Sequence, residues 1–374
     1  MSKNDLATGN GFNGISVVIC CFNSAQRITK TLEFLSVQKD VTFPWEIILV
    51  NNQSTDNTVE IAASCWKEKS SIADLRIIHE PNPGKANALT TGFNHAKYDL
   101  ILVCDDDNWL QPHYLSRVMG ICNEYPTIGM LGGYGKEAWL GEGVPIPDWF
   151  EEVQQYYVVG NHIGKSGYLD KGKYQIWGAG SVIRKSIWEL LCEKGFKFKN
   201  SRMAGRAQGE DAELAFLIAA AGFPMYFDEE LTFIHDLSGG RVSIPQLLDQ
   251  VRLNAVNMCW VFHYNTVSGL VKKQESGSES TGNSDKRAKS TIFNQYSFIY
   301  IQGIWALMNY CINIWVRYIL LYLPVKAKWI KRPLLMRKML LTFHWVHIRS
   351  LILQYRKFRK SLWADYEMIK ELRK

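Results

Sequence analysis

Apolar and polar positions alternate in blocks along this chain, and the blocks predict its elements. Ile15–Cys21 (I-S-V-V-I-C-C) is apolar and β-branched, the pattern of a strand. It stops at Phe22-Asn23-Ser24, where Asn23 or Ser24 is placed to cap a helix whose Ile28, Leu32 and Leu35 share one face. Glu46–Val50 is a second strand. The polar loop N-N-Q-S-T-D-N-T behind it offers Ser54, Thr55 and Asp56 as caps for a helix carrying Val59, Ala62 and Trp66. Leu75–His79 is a third strand, and P-N-P-G-K then opens a helix to about Ala96. The fourth is Leu100–Trp109, in which five apolar residues run into Asp105, Asp106 and Asp107. A run without alternation suits a central parallel strand covered on both faces. Strands recurring about every 25–30 residues with helices between them predict βαβ units, an α/β fold and a mostly parallel sheet.

Beyond the acids, Tyr114–Cys122 reads as a helix and G-M-L-G-G-Y-G as a glycine-rich stretch. Residues 141–176 are loop-rich and aromatic, with Trp149, Phe150, Tyr156, Tyr157, Tyr168 and Tyr174. W-G-A-G-S-V-I-R at 177–184 resumes a strand at Val182-Ile183. Gly209-Glu210-Asp211 opens a helix faced by Leu214, Leu217 and Ile218 and stopped at Gly222. Pro224–Phe227 is strand-like and leads to L-T-F-I-H-D at 231–236.

A polar, Gly/Ser-rich linker, 272–290, divides the chain into a globular region, 14–265, and a C-terminal region, 291–374. In the latter, Ser297–Val316 is 20 residues without a charge, interrupted by Gln302, Asn309 and Asn313. That is the length of a membrane span, but its polarity equally fits an in-plane or packed helix. Pro324–Lys374 interleaves Trp329, Leu334, Leu335, Phe343, Trp345, Leu351 and Trp363 with Lys and Arg. A basic, aromatic helix of this kind lies well on an anionic membrane. The competing reading is a helix packed on the globular region with its basic face in water.

Composition sharpens this division. With 374 residues, 47% hydrophobic and 21% charged, the chain is globular. Arg317–Lys374 holds 15 Lys/Arg against 3 Asp/Glu, a net of +12, so the preceding 316 residues carry −5 of the chain's +7. A mildly acidic body with a basic tail points to an anionic surface as the tail's partner, and no nucleic acid is expected. Eight cysteines without a C-x-x-C pair sit mostly in apolar runs, as reduced, buried thiols of a cytosolic protein do. The first residues have no apolar core, so a secretory signal is not expected.

Two acidic foci carry the candidate chemistry. Three adjacent carboxylates at the carboxyl end of a parallel strand repel one another unless a cation compensates. Mg²⁺ or Mn²⁺, shared with a substrate phosphate, is the natural choice, and a solvated acidic turn is the alternative. Glu210 and Asp211 open a helix, where acids also serve simply to complement its dipole. His235 follows apolar residues and reads either as a core histidine or as a ligand. Gly178–Gly180 fits an ordinary turn or a close approach of backbone to ligand. Neither G-x-G-x-x-G nor G-x-x-x-x-G-K-[ST] occurs, which argues against a dinucleotide site and a P-loop.

The motifs V-V-I-C-C-F-N (17–23), V-N-N-Q-S-T-D-N-T (50–58), N-P-G-K-A-N-A-L (82–89), C-D-D-D-N-W-L (104–110), W-G-A-G-S-V-I-R (177–184) and G-E-D (209–211) follow in order. Together they resemble the family 2 glycosyltransferases of GT-A fold, a nucleotide-sugar-binding fold, over roughly residues 14–262. The resemblance implies inverting transfer of a sugar from a nucleotide-sugar donor to an acceptor hydroxyl, on a surface glycan or a lipid-linked saccharide. Asp105-Asp106-Asp107 falls on the family's D-x-D, which makes Asp107 the ligand of Mn²⁺ or Mg²⁺ and Asp105 a donor contact. Asp106 joins the donor side as the acid most tolerant of change. Asp211 falls on the general base. Glu210 goes with the acceptor or raises the basicity of Asp211, and Trp177 and Gly178 lie on the acceptor side. The resemblance also places Cys21, Phe22, Asn23, Asn52 and Lys85 on the donor and His235 beside the metal. Asn51-Asn52 departs from the family's acid after strand 2. Asn52 can still read a base edge, so a UDP-sugar is favoured, with a GDP-sugar behind it. The processive members' Q-x-x-R-W is absent, which favours single addition. These features place the protein at the inner face of the cell membrane. A noncatalytic sugar-nucleotide or membrane-binding protein of the same fold is the alternative.

Overall fold

The computed structural model describes residues 11–69, 73–169, 176–199, 209–277, 285–322 and 334–373. The chain divides into two compact units, Met1–Val242 with Leu372–Lys374, and Ser243–Glu371.

The first unit is an α/β body. Its leading half runs β1 (Ile15–Cys21), α1 (Ile28–Ser36), β2 (Trp45–Asn51), α2 (Thr58–Glu68), β3 (Asp74–His79), α3 (Lys85–His95) and β4 (Leu100–Asp105). It continues through β5 (Asn108–Leu110), α4 (Tyr114–Glu124), β6 (Met130–Trp139), β7 (Gly167–Tyr168), β8 (Val182–Arg184), α5 (Lys185–Glu193), α6 (Glu210–Ala220) and β9 (Met225–Asp236). The nine strands form one sheet in the order β3-β2-β1-β4-β8-β6-β9-β5, with β7 on β9. β1 and the apolar part of β4 are buried on both faces, as their unbroken apolar runs require. Their register brings Cys20 opposite Asp105, so the acids emerge beside the carboxyl end of β1.

The expected parallel sheet holds for β1–β4 and for the β6–β9 pair. The pairs β4–β8, β6–β8, β5–β9 and β7–β9 are antiparallel, so the sheet is mixed. Its second half contains strands of two or three residues, whose pairings do not depend on a helical crossover. The glycine-rich stretch is itself strand β6. At Gly133 a Cβ would stand 1.7 Å from the Leu231 carbonyl oxygen, so bare backbone is what lets β6 lie against β9. α1 begins at Ile28 without a side-chain cap, a turn later than Asn23 or Ser24 would place it. None of the eight cysteines forms a disulfide; Cys192, expected buried, is exposed on α5.

The second unit is helical: α7 (Ile244–Gly277), α8 (Asp285–Tyr322) and α9 (Leu334–Arg373, to Glu371 in this unit). The boundary expected at 265 falls inside α7, and both ends of the expected linker are helical; its centre, 278–284, lies outside the described residues. So do Tyr174, Pro324 and Trp329. Trp260, Tyr264, Tyr296, Tyr300 and Phe358 are buried in this unit. His263 Nε2 meets Asp365 Oδ2 at 2.9 Å, and Nδ1 meets the Tyr296 hydroxyl at 2.8 Å, which ties the three helices through one polar cluster. Among the described residues, no helix is long and apolar enough to cross a membrane.

Candidate active site

The carboxyl ends of β1, β2 and β4 meet the starts of α3 and α6, the edge where open α/β sheets bind ligands. A hollow of about 670 Å³ elsewhere in this unit is lined by Trp45, Trp66, Leu75 and Ile77 and by no residue of either acidic focus.

Each of the three consecutive acids has a side-chain cation of its own. Lys85, at the first position of α3, holds Asp105 Oδ1 at 2.5 Å. Arg27 holds Asp106 Oδ2 at 2.7 Å, and Arg241 holds Asp107 Oδ2 at 2.7 Å. The mutual repulsion that pointed to a metal is therefore offset by the chain itself. Burial raises Asp106, the charge of Asp107 adds to this, and Arg27 opposes it. Burial would likewise raise Asp107, but His235 and Arg241 outweigh it and hold the carboxyl well below the usual range.

The second focus closes on the first. Glu210 Oε1 lies 3.8 Å from Lys85 Nζ, and its Oε2 is buried without a hydrogen-bond partner. Burial pushes Glu210 up to about 7, against the pull of Lys85 and with help from Asp211 and Asp105. Burial lowers Lys85, yet Asp105 and Glu210 outweigh it and raise its pKa well above the ordinary lysine value. Asp211 is fixed separately. The Gly178 N–H donates to its Oδ2 at 3.1 Å and the Ala212 N–H to its Oδ1 at 2.8 Å.

On the far side of the acids, His235 Nε2 faces Asp107 Oδ1 at 3.6 Å, while Nδ1 lies 2.7 Å from the Tyr157 carbonyl oxygen. A carbonyl only accepts, so Nδ1 carries a proton, and Nε2 is the ring nitrogen turned toward Asp107. Asp107 and His235 thus fit as a carboxylate–imidazole pair for one divalent ion. No third His, Cys, Asp or Glu joins them among the described residues, so substrate oxygens would complete the set.

Several expected roles change with this geometry. Asn52 does not present its amide to a base. Its Nδ2 donates to the Glu80 and Asn82 carbonyls at 3.0 and 2.7 Å, and its Oδ1 accepts from the Gly84 N–H at 2.7 Å, which sets the loop that delivers Lys85. Cys21 turns its thiol into the core, leaving only backbone toward the cleft. Phe22 is 60% exposed. Asn23, at φ +52°, is tied to the Thr55 N–H through Oδ1 at 2.8 Å. Glu210, expected beside the acceptor, is buried against Lys85. Asp106, expected to tolerate change, is the partner of Arg27, and its carbonyl accepts the Thr31 hydroxyl at 2.8 Å. Trp177 is half-buried against the His162 ring, with centroids 3.9 Å apart.

Arg27, Arg241 and Tyr157 were not legible as site residues. Gly239-Gly240, both at positive φ, precede Arg241 and lead the chain back so that Arg241 also donates to the Asp236 carbonyl at 2.7 Å. The G-G-R string just past β9 is the one signal that pointed there.

Residues 16–190 match the family described as glycosyl transferase family 2. An undecaprenyl-phosphate 4-deoxy-4-formamido-L-arabinose transferase of Serratia proteamaculans is 28% identical over 128 residues, 34% of this chain and 39% of that protein. A poly-beta-1,6-N-acetyl-D-glucosamine synthase of Staphylococcus epidermidis is 35% identical over 122 residues, 32% of this chain and 28% of its own length. The chain spans about two fifths of the length of the first curated relatives it matches. Among solved structures, a mannosyltransferase from Pyrobaculum calidifontis in complex with GDP-Man and Mn²⁺ superposes with a TM-score of 0.52 at 16% identity, covering 92% of this chain and 87% of that one. This last likeness shows a shared fold, the GT-A architecture. Residues 16–190, just under half of the chain, thus match glycosyl transferase family 2.

Proposed function

We propose that this protein is an inverting glycosyltransferase that moves a sugar from a nucleotide-sugar, with a UDP-sugar favoured, to an acceptor hydroxyl. The observation that carries the reading is the fixed carboxylate of Asp211, held by the Gly178 N–H beside the Lys85–Asp105–Glu210 cluster. Asp211 takes the proton from the acceptor hydroxyl as its oxygen bonds to the anomeric carbon. The bond from that carbon to the diphosphate oxygen breaks on the opposite face, and the nucleoside diphosphate leaves with the electron pair. Lys85 is placed to meet the diphosphate, and Asp105 holds Lys85 in position until the donor arrives. Mn²⁺ or Mg²⁺ would sit on Asp107 and His235 and neutralise charge on the leaving diphosphate. Arg241 must then release Asp107 Oδ2 or share it.

The names of the curated relatives support a lipid-phosphate or polysaccharide acceptor, reached at an anionic membrane surface through the C-terminal region. Thermal shift across UDP-, GDP- and CMP-sugars identifies the donor. Sugar transfer is then measured with Mn²⁺ or Mg²⁺ for Asp107→Ala and Asp211→Asn. Both variants are expected to lose turnover, and Asp211→Asn to keep donor binding. Transfer that survives both substitutions overturns the assignment, and donor binding by the unaltered protein with no transfer to any acceptor makes it a noncatalytic binder.

A further inference from the structure

Along α8, Ile301, Trp305, Met308, Ile312, Trp315 and Ile319 recur at alternating spacings of four and three residues, which puts them on one face. All six are exposed, from 36% for Met308 to 61% for Trp305. At 1.5 Å per residue the stripe is about 27 Å long. A monomeric protein in water does not leave so large a row uncovered without a partner.

The flanks of the stripe decide between partners. From Ser290 to Val316 there is no charged side chain on any face of α8, whereas a helix seam made for a second copy is bordered by charged positions that keep it soluble and set the pairing. From Lys286 through Ala364 the sequence has 15 Lys/Arg and no Asp/Glu. Two copies meeting through such surfaces would bring like charges together. An anionic bilayer would bring opposite ones. Gln302, Asn309 and Asn313 are exposed beside the stripe, which suits a helix lying in the interface rather than one crossing it.

α9 supplies the electrostatic half. Lys338, Trp345, Arg349, Ile352, Arg356 and Arg359 fall on one helical row and all are exposed. Basic side chains interleaved with apolar ones can keep their stems in the acyl boundary while their heads reach lipid phosphates. The two helices share a hollow of about 480 Å³, in which Trp315 and Trp345 face Arg252 of α7 with Leu341 and Val346, so the stripe and the basic row adjoin there.

We propose that the second unit docks on an anionic phospholipid bilayer, with α8 in the plane of the interface, its stripe at the acyl boundary and the α9 row on lipid phosphates. This rests on the reading that the protein works at a membrane, and not on the chemistry of the first unit.

The test is co-sedimentation of the full chain with vesicles of phosphatidylcholine alone or mixed with phosphatidylglycerol, read beside tryptophan fluorescence. The unaltered protein binds the anionic vesicles, its emission shifts to the blue, and salt weakens the binding. At about 1 kcal/mol per basic side chain, Arg349→Gln with Arg356→Gln weakens binding about thirtyfold. Trp305→Glu with Ile312→Glu abolishes the blue shift. Far-UV circular dichroism establishes that the helices of each variant persist. Equal binding to both vesicle types, variants that bind like the unaltered protein, or a discrete dimer that ignores vesicles overturns the proposal. Transfer to a soluble acceptor without vesicles is measured in parallel. Vesicle binding lost with transfer retained sinks this docking surface alone, and the reverse sinks the transferase reading alone.

Discussion

Gly178→Ala isolates the position of the carboxylate proposed as the base, Asp211, from everything else in the site. A Cβ at residue 178 would stand 2.5 Å from Asp211 Cβ, 3.1 Å from Oδ2 and 3.2 Å from Cγ, where ordinary contact begins at 3.4 Å. The nearest atom is a Cβ, which no side-chain rotation can move. Asp211 sits in the first turn of α6, and the Gly178 carbonyl is held by the Ser181 N–H and hydroxyl at 3.0 and 2.8 Å. One backbone must therefore retreat by about 1 Å, and a misplacement of that size costs about 100-fold in rate. The strain itself costs about 1–3 kcal/mol, which leaves a folded protein with a lower melting temperature. Lys85 and Asp105 are untouched, so donor affinity is expected to hold while kcat falls. Steady-state transfer kinetics and donor titration separate the two. Gly120→Ala serves as the control: it is exposed on α4 with nothing within 4 Å of an added Cβ, and should gain about 0.5–1 kcal/mol of stability with activity unchanged. If Gly178→Ala keeps its fold and turns over within a few-fold of the unaltered enzyme, Asp211 is not held where the reaction needs it, and the role assigned to it falls.

Three other outcomes follow from the packing of charge. Asp106→Ala strands the half-buried Arg27 and should lower stability by about 1–3 kcal/mol in urea unfolding, whereas a tolerant surface acid would show almost no change. Glu210 has a folded-state pKa of about 7 against its ordinary 4.5, so its contribution to stability is present below about pH 4.5 and is lost as the pH rises through 7. Glu210→Gln should therefore match the unaltered protein in acid and exceed it by up to about 3 kcal/mol above pH 8, a difference that pH-resolved melting reads directly. Asp365→Ala leaves the buried His263 without its carboxylate and should cost about 3–5 kcal/mol by denaturant titration, and Asp365→Asn, which keeps an acceptor, should cost clearly less.

The sequence alone determined the elements whose physics is local. Fully buried parallel strands need unbroken apolar runs, so β1 and β2 were readable to within a residue and β4 at its start, although β4 ends at Asp105 and does not run to Trp109; the acids at its end and the helix that Glu210 and Asp211 open were readable too. The order of six short motifs was enough to place the family. Tertiary structure decided what each polar group faces. Strand polarity in β5, β7 and β8 was not legible because two- and three-residue strands carry no periodicity, and β6 read only as a glycine-rich stretch because its glycines serve a neighbouring strand rather than its own conformation. The cations on the three acids come from 27, 85 and 241, separations over which spacing carries no signal. Asn52 read as a base contact because an amide suits both tasks, and only the fold shows it bonded to the loop before Lys85. A carboxylate's type is written in the chain, but its charge state and role depend on burial and on partners that folding brings from afar.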